Sequence, residues 1–118
     1  MAYRFENLDV WQLARKFANT IYNVTKTFPK DELFGMTSQL RRAALSIGLN
    51  IAEGSDRKSD VEFIRFLRIA YTSMEEVIAA SFIALDQNYL NQENFNDIYE
   101  QSNILGRKLN ALINSLRK

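Results

Sequence analysis

Six basic side chains, Arg41, Arg42, Arg57, Lys58, Arg65 and Arg68, crowd into the middle of the chain. The chemistry open to such a set is phosphate binding. A guanidinium fork donates two parallel hydrogen bonds to one phosphate and keeps its charge at physiological pH. Arg65 and Arg68 are one turn apart and share a helix face. Arg41 and Arg42 diverge by about 100° on a helix, so both cannot face one ligand squarely. Ion pairing is the competing use: Glu53 or Glu75 can engage one of these arginines, within the chain or across copies, and leave the other free. Asn50, set between Leu49 and Ile51, carries an amide that satisfies backbone or a neighbouring side chain. With Glu53 and Glu75 it forms a candidate structural polar cluster.

Catalytic chemistry finds little to start from. The chain has no Cys and no His, which removes thiol nucleophiles, disulfides, imidazole bases and the usual zinc ligands. Metal sites inside bundles draw Glu from several helices with His one turn away. Here Glu53, Glu75 and Glu76 are the only inward-tending carboxylates, so neither a metal nor another cofactor is expected. Ser46 has no base to activate it and is expected to bond back to the preceding helical turn. Trp11, Tyr22 and Tyr71 have faces on which bases can stack, but their helical spacing fits core or interface packing better. No glycine-rich phosphate loop is present. The chain reads as a binding protein without catalytic residues, and not as an enzyme.

The elements that must position these residues are helices. One Pro and four Gly leave few turns in 118 residues, which favours a few long helices. A first helix is predicted from near Val10, capped by Asp9 with Gln12 as its capping-box partner. Its stripe is Val10, Leu13/Ala14, Phe17, Ile21, Val24 and Phe28, and Pro29 ends it. Asp31–Phe34 is a single turn broken by Gly35. A second helix, capped by Thr37 or Ser38, carries Met36, Leu40, Ala43/Ala44, Ile47 and Ile51 and stops at Gly54. Ser59 and Glu62 form a capping box for a third helix reaching about Gln87. It carries one stripe of Phe63, Phe66/Leu67, Ala70, Met74, Val77, Ser81 and Ala84. A second stripe, Ile64, Tyr71, Ile78 and Leu85 with Phe82 nearby, is surplus to one core. Asn91 caps a fourth helix with the stripe Phe95, Ile98, Ser102, Leu105, Leu109, Leu112 and Leu116, flanked by Ile104 and Ile113. Short joints make sequential neighbours antiparallel. The fold predicted for residues 1–118 is all-α, a single up-down-up-down four-helix bundle.

Charge is uneven along this scaffold. The net charge of +1 averages a basic first half (+3 over residues 1–58), an acidic middle (−6 over 59–100) and a basic end (+4 over 101–118). The basic parts suit nucleic acid, an acidic partner, or the acidic middle of another copy. The first twenty residues carry Arg4, Glu6, Asp9, Arg15 and Lys16 without an apolar run, and no segment approaches the length of a membrane span. A cytoplasmic protein without membrane contact is expected.

A resemblance sharpens this picture. The segments Leu8-Asp-Val-Trp-Gln-Leu-Ala14, Phe28-Pro29, Glu32-Leu-Phe-Gly35, Gln39-Leu-Arg-Arg-Ala-Ala44, Ser46-Ile47, Asn50-Ile-Ala-Glu-Gly54 and Arg57, continued by Phe63, Phe66-Leu67, Ala70 and Glu75-Glu76, resemble the four-helix-bundle proteins encoded in intervening sequences of bacterial 23S ribosomal RNA genes. The similarity covers nearly the whole chain. One departure is Gly48, where the family usually has Pro after the Ser-Ile pair. The resemblance implies a ring-like homopentamer. It also implies kinship with the accessory variability proteins of diversity-generating retroelements, which bind nucleic acid beside a reverse transcriptase.

Two functions follow as expectations. One is an oligomeric, non-enzymatic bundle that holds RNA or DNA backbone through Arg41, Arg42, Arg57, Lys58, Arg65 and Arg68. The other is a protein-binding or scaffolding oligomer whose arginines pair with acidic third helices.

Overall fold

Four amphipathic stretches become four helices: α1 over Asp9–Thr25, α2 over Ser38–Ser55, α3 over Asp60–Asp86 and α4 over Gln92–Leu116. The structure, a computed structural model, describes residues 2–117. Helix α1 packs on α2, α2 on α3, α3 on α4, and α4 returns to α1. This is the contact pattern of an antiparallel up-down-up-down bundle. At about 1.5 Å per residue, the 27 residues of α3 run almost the whole length of a body measuring 45 × 25 × 21 Å.

The period of the apolar residues decides which faces meet. Val10, Ala14, Phe17 and Ile21 of α1 are buried with Leu40, Ala44, Ile47 and Ile51 of α2. The first α3 stripe is buried throughout, from Phe63 to Ala84. On α4, Phe95, Ile98, Ser102, Leu105 and Leu109 are buried as their spacing requires, but the seam then passes to Ile113, and Leu112 and Leu116 are only half-buried. A straight helix drifts about 20° per heptad from a strict seven-residue repeat, which is enough to bring the flanking residue inward over three heptads. Two buried hydroxyls are satisfied within their own helices: Ser81 Oγ donates to the Val77 carbonyl and Thr25 Oγ1 to that of Ile21, each at 2.7 Å.

Two joints follow their local chemistry. Ser59 accepts from the Glu62 N–H at 3.2 Å, although the Glu62 carboxylate turns to Arg65 and leaves the expected box half-formed. Asn88 takes the left-handed conformation, φ 63°, and the Tyr89 and Leu90 N–H groups bond back to the Ala84 carbonyl. That closes α3 with an asparagine in the role glycine usually fills. Asn91 then caps α4 by accepting from the Asn94 N–H at 2.7 Å. Asn91→Ala is expected to cost about 1 kcal/mol while Asn91→Asp keeps most of it, read as a shift in urea midpoint at constant slope.

The other ends differ from expectation. Helix α1 starts at Asp9, and its N-cap position is Leu8, without a side-chain cap. Gln12 reaches past Asp9 to the Glu6 carbonyl at 2.9 Å. The helix stops at Thr25, short of Phe28, because the chain tightens into short-range turns ahead of Pro29. Neither Thr37 nor Ser38 caps α2. The Glu32 carboxylate instead caps the short turn Leu33–Thr37 that leads into α2, accepting from the Met36 N–H at 3.0 Å, and Gly35 in that turn leaves helical geometry at φ −113°, ψ −109°. The same carboxylate accepts from the Tyr89 hydroxyl at 3.1 Å, which ties the α1–α2 joint to the α3–α4 joint and raises the Tyr89 pKa. Gly54 does not stop α2. It lies inside the helix, buried, with negative φ, and its role is close approach to α3.

Candidate nucleic-acid interface

The six basic residues separate into three groups. Arg41 is half-buried and committed. Its Nε donates to Thr25 Oγ1 at 2.9 Å and a terminal nitrogen to the Tyr22 carbonyl at 3.4 Å. Its guanidinium also lies 5.0 Å from the Tyr22 ring centre. It thus satisfies the end of α1, where a cation complements the helix dipole, and clamps α1 to α2. Arg41 is a structural residue in this arrangement.

Arg57 and Arg65 come together on one aromatic ring. Their guanidiniums lie 4.8 and 4.6 Å from the centre of Phe66, a geometry that attracts cations to the ring face. Each also holds a carboxylate, Arg57 with Glu53 at 2.5 Å and Arg65 with Glu62 at 3.2 Å. The Arg65 hydrogen bond and charge, aided by Arg57, hold the Glu62 carboxyl below its usual range against a small opposing effect of burial. Glu62 and Glu53 in turn raise the Arg65 pKa. Both pairs are solvent-exposed, so each contributes little to stability.

Arg42, Lys58 and Arg68 form the third group. All three are exposed, and among the described residues none has an ion-pair partner. Within this chain, among the described residues, neither Arg41 nor Arg42 forms an ion pair with Glu53 or Glu75.

The polar cluster is also rearranged. Asn50 Nδ2 donates to the Ser46 carbonyl at 2.8 Å and to Ser46 Oγ at 3.0 Å, and Ser46 Oγ meets Ser73 Oγ at 3.0 Å. Ser46 therefore bonds across to α3, not back into its own turn. Gln39 donates to Glu76 farther along the same α2–α3 seam. Glu53 belongs to Arg57, and Glu75 lines a separate cleft between α3 and α4 beside Tyr71, Asn103 and Arg107. Glu53, Glu75 and Glu76 all point to solvent, correcting the inward tendency read for them. Among the described residues no cluster of three or more Asp or Glu is placed to hold a metal. No helix of the described residues is long and apolar enough to cross a membrane.

Apolar surface is left over, though not where the second α3 stripe placed it. Ile64, Tyr71, Ile78 and Leu85 are half-buried against the bundle's own core. The exposed aliphatic and Phe side chains are Leu45 and Leu49 on α2, Val61, Ile69, Phe82 and Ile83 on α3, Ile104 on α4, and Leu33 and Phe34 in the α1–α2 joint, Phe34 being 93% exposed. Leu45 and Leu49 edge a groove floored by Trp11, Ala14, Ala18 and Gly48.

A cavity of about 480 Å³ lies elsewhere, beside the N-terminal turn. Tyr3, Arg4, Asp56 and the Glu53–Arg57 pair line it. Sequence reasoning passes over Tyr3, Arg4 and Phe5 because they precede the first periodic helix. Their one local signal is an arginine between two aromatic residues.

Residues 6–111 match the family described as 23S rRNA-intervening sequence protein. A crystal structure of a protein of unknown function from the S23 ribosomal protein family of Bacteroides thetaiotaomicron is similar over 88% of this chain and 97% of its own, with 26% identity and a TM-score of 0.78. No curated protein matches.

Proposed function

This chain belongs to the 23S rRNA-intervening sequence protein family, and from that membership we propose a non-enzymatic, homo-oligomeric bundle of the cytoplasm that holds RNA or DNA by its backbone. The observation that carries the reading is the set of exposed, unpaired cations Arg42, Lys58 and Arg68 among the described residues. Arg57 adjoins Lys58 in the chain and Arg65 lies one turn from Arg68; both are pre-oriented on Phe66 but held by carboxylates that an incoming phosphate must displace. Such contacts position a backbone without reading bases. Arg41 ranks behind the others for phosphate, since its Nε and one terminal nitrogen are held by the end of α1.

Self-association is supported by the apolar side chains that the monomer leaves exposed, among them Phe34, Val61, Leu49 and Ile83, and a ring of five is the arrangement the family resemblance favours. A species of 13.7 kDa in solution overturns it. Titrating RNA and DNA across a salt series tests the backbone reading. Binding is expected to fall steeply with salt, and no detectable binding near ~50 mM salt overturns it. The exposed apolar set alone favours a second reading, a scaffold for protein partners, and an assembly that stays intact and ignores nucleic acid supports that one.

A further inference from the structure

The cavity under the N-terminal turn has the parts of a nucleotide site. Residues Arg4–Asn7 form one helical turn, fixed at one end by the Glu6 carboxylate accepting from the Tyr3 N–H at 2.8 Å. At the other end Gln12 holds the Glu6 carbonyl. The aromatic rings run in series: Tyr3 stacks on Phe5 with centres 5.6 Å apart and planes at 14°, and Phe5 packs on Trp11 at 4.7 Å. Tyr3 is the outer member and is 64% exposed. It is therefore a rigidly backed ring standing at the rim of a cavity, where a surface tyrosine ordinarily has no fixed backing.

Within that cavity the charges are sorted. Glu53 and Arg57 spend their charges on each other. Arg4 rests 5.9 Å from the centre of Phe63 and, among the described residues, has no ion-pair partner. The Asp56 carboxylate likewise has no partner among the described residues, while its backbone N–H closes α2. One cavity therefore holds an outward aromatic face, a guanidinium resting on Phe63 without an ion-pair partner, and a carboxylate without one, among the described residues. Their complements are an aromatic ring, a phosphate and an edge of parallel N–H donors. A nucleotide has all three, and guanine alone among the common bases offers two adjacent donors, N1–H and the N2 amino group, to one carboxylate. A cavity of about 480 Å³ falls within the roughly 300–1,000 Å³ that ligand sites occupy.

We infer that this cavity takes one unpaired guanine of a single-stranded nucleic acid, its ring on Tyr3, its donor edge on Asp56 and its phosphate on Arg4. The inference rests on the nucleic-acid reading above and narrows it to strands whose bases are free to stack. Tyr3, Arg4 and Phe5 lie ahead of the residues that match the family, and Asp56 lies within them.

Anisotropy titrations of the full chain test it. The probes are a uridine-rich single-stranded RNA carrying one guanine, the same strand carrying adenine, and a duplex hairpin. Tyr3→Ala is expected to weaken binding of the guanine strand roughly tenfold and to leave the hairpin unaffected, while Tyr3→Phe binds as the parent does. Asp56→Asn is expected to erase the preference for guanine over adenine. Trp11, next in the ring series, is expected to change its emission on titration with the guanine strand. Tyr3 is exposed, so an unchanged melting curve separates loss of the site from loss of the fold. Equal binding by Tyr3→Ala and the parent, or an equal loss on strand and hairpin, overturns the cavity assignment. If Arg42→Ala still weakens the hairpin in that case, the backbone reading stands without it. Failure of every probe to bind overturns both.

Discussion

Phe17→Ala is expected to remove about 3–5 kcal/mol of stability, a large share of the roughly 5–15 kcal/mol that holds a domain folded. The expectation follows from position. Phe17 sits midway along α1 with no exposed surface, in one core with residues of all four helices. Truncation removes a ring's worth of buried apolar area and leaves a cavity that long helices cannot collapse to fill. Urea unfolding reads the effect as a lowered midpoint at unchanged slope. A loss below about 1 kcal/mol, the level of an average substitution, would mean that α1 is not seated as described.

The second large effect runs against helix propensity. Gly54→Ala should gain about 1 kcal/mol on propensity alone. It is expected instead to lose about 1–3 kcal/mol through overpacking. A Cβ added at Gly54 comes within 2.6 Å of Phe66 Cβ and 3.0 Å of Phe63 Cδ1. The first of these is fixed to the α3 backbone and cannot swing aside, so the helices must move apart. Moving them also disturbs the ring on which Arg57 and Arg65 rest. Gly48→Ala is the matched control. Its Cβ meets only ordinary contacts, Trp11 Nε1 at 3.5 Å and Ala14 Cβ at 3.9 Å, so the propensity gain of about 1 kcal/mol survives. Opposite signs at two glycines of one helix are the signature, and a gain at both contradicts the tight α2–α3 contact.

What sequence reasoning reached was set by how local the cause is. Helix faces follow from residue spacing, and the buried sets on α1, α2 and α3 follow it in the main, with Val24 and Met36 half-buried and Thr25 and Ser73 buried outside the expected stripes. The Ser59 and Asn91 caps also depend on a partner three residues away. Gly54 was beyond that reach. A glycine near a helix end and a glycine under a neighbouring ring look alike in one dimension, and only the approach of α3 tells them apart. Glu32 was missed as a cap because it acts through a broken turn, where spacing no longer reports direction.

The candidate site was less legible for the same reason. Composition marks the arginines, but their partners lie on other elements. Arg41 is consumed by the end of α1, a contact 16 residues away in the chain. Glu75 falls on the α4 side of α3, away from Asn50 and Glu53. The Tyr3 platform needs the N-terminal turn to fold over the end of α2, which no periodicity announces.

The most direct measurement is the salt dependence of binding to one short RNA, compared between the parent chain and the Arg42→Ala/Arg68→Ala double variant. If these two exposed arginines hold phosphates of a single strand, each contributes about 0.7 to the slope of log Kobs against log salt. The double variant is then expected to show a slope shallower by about 1.4, with its melting curve unchanged. Equal slopes for the two proteins would contradict the proposed role of the exposed arginines.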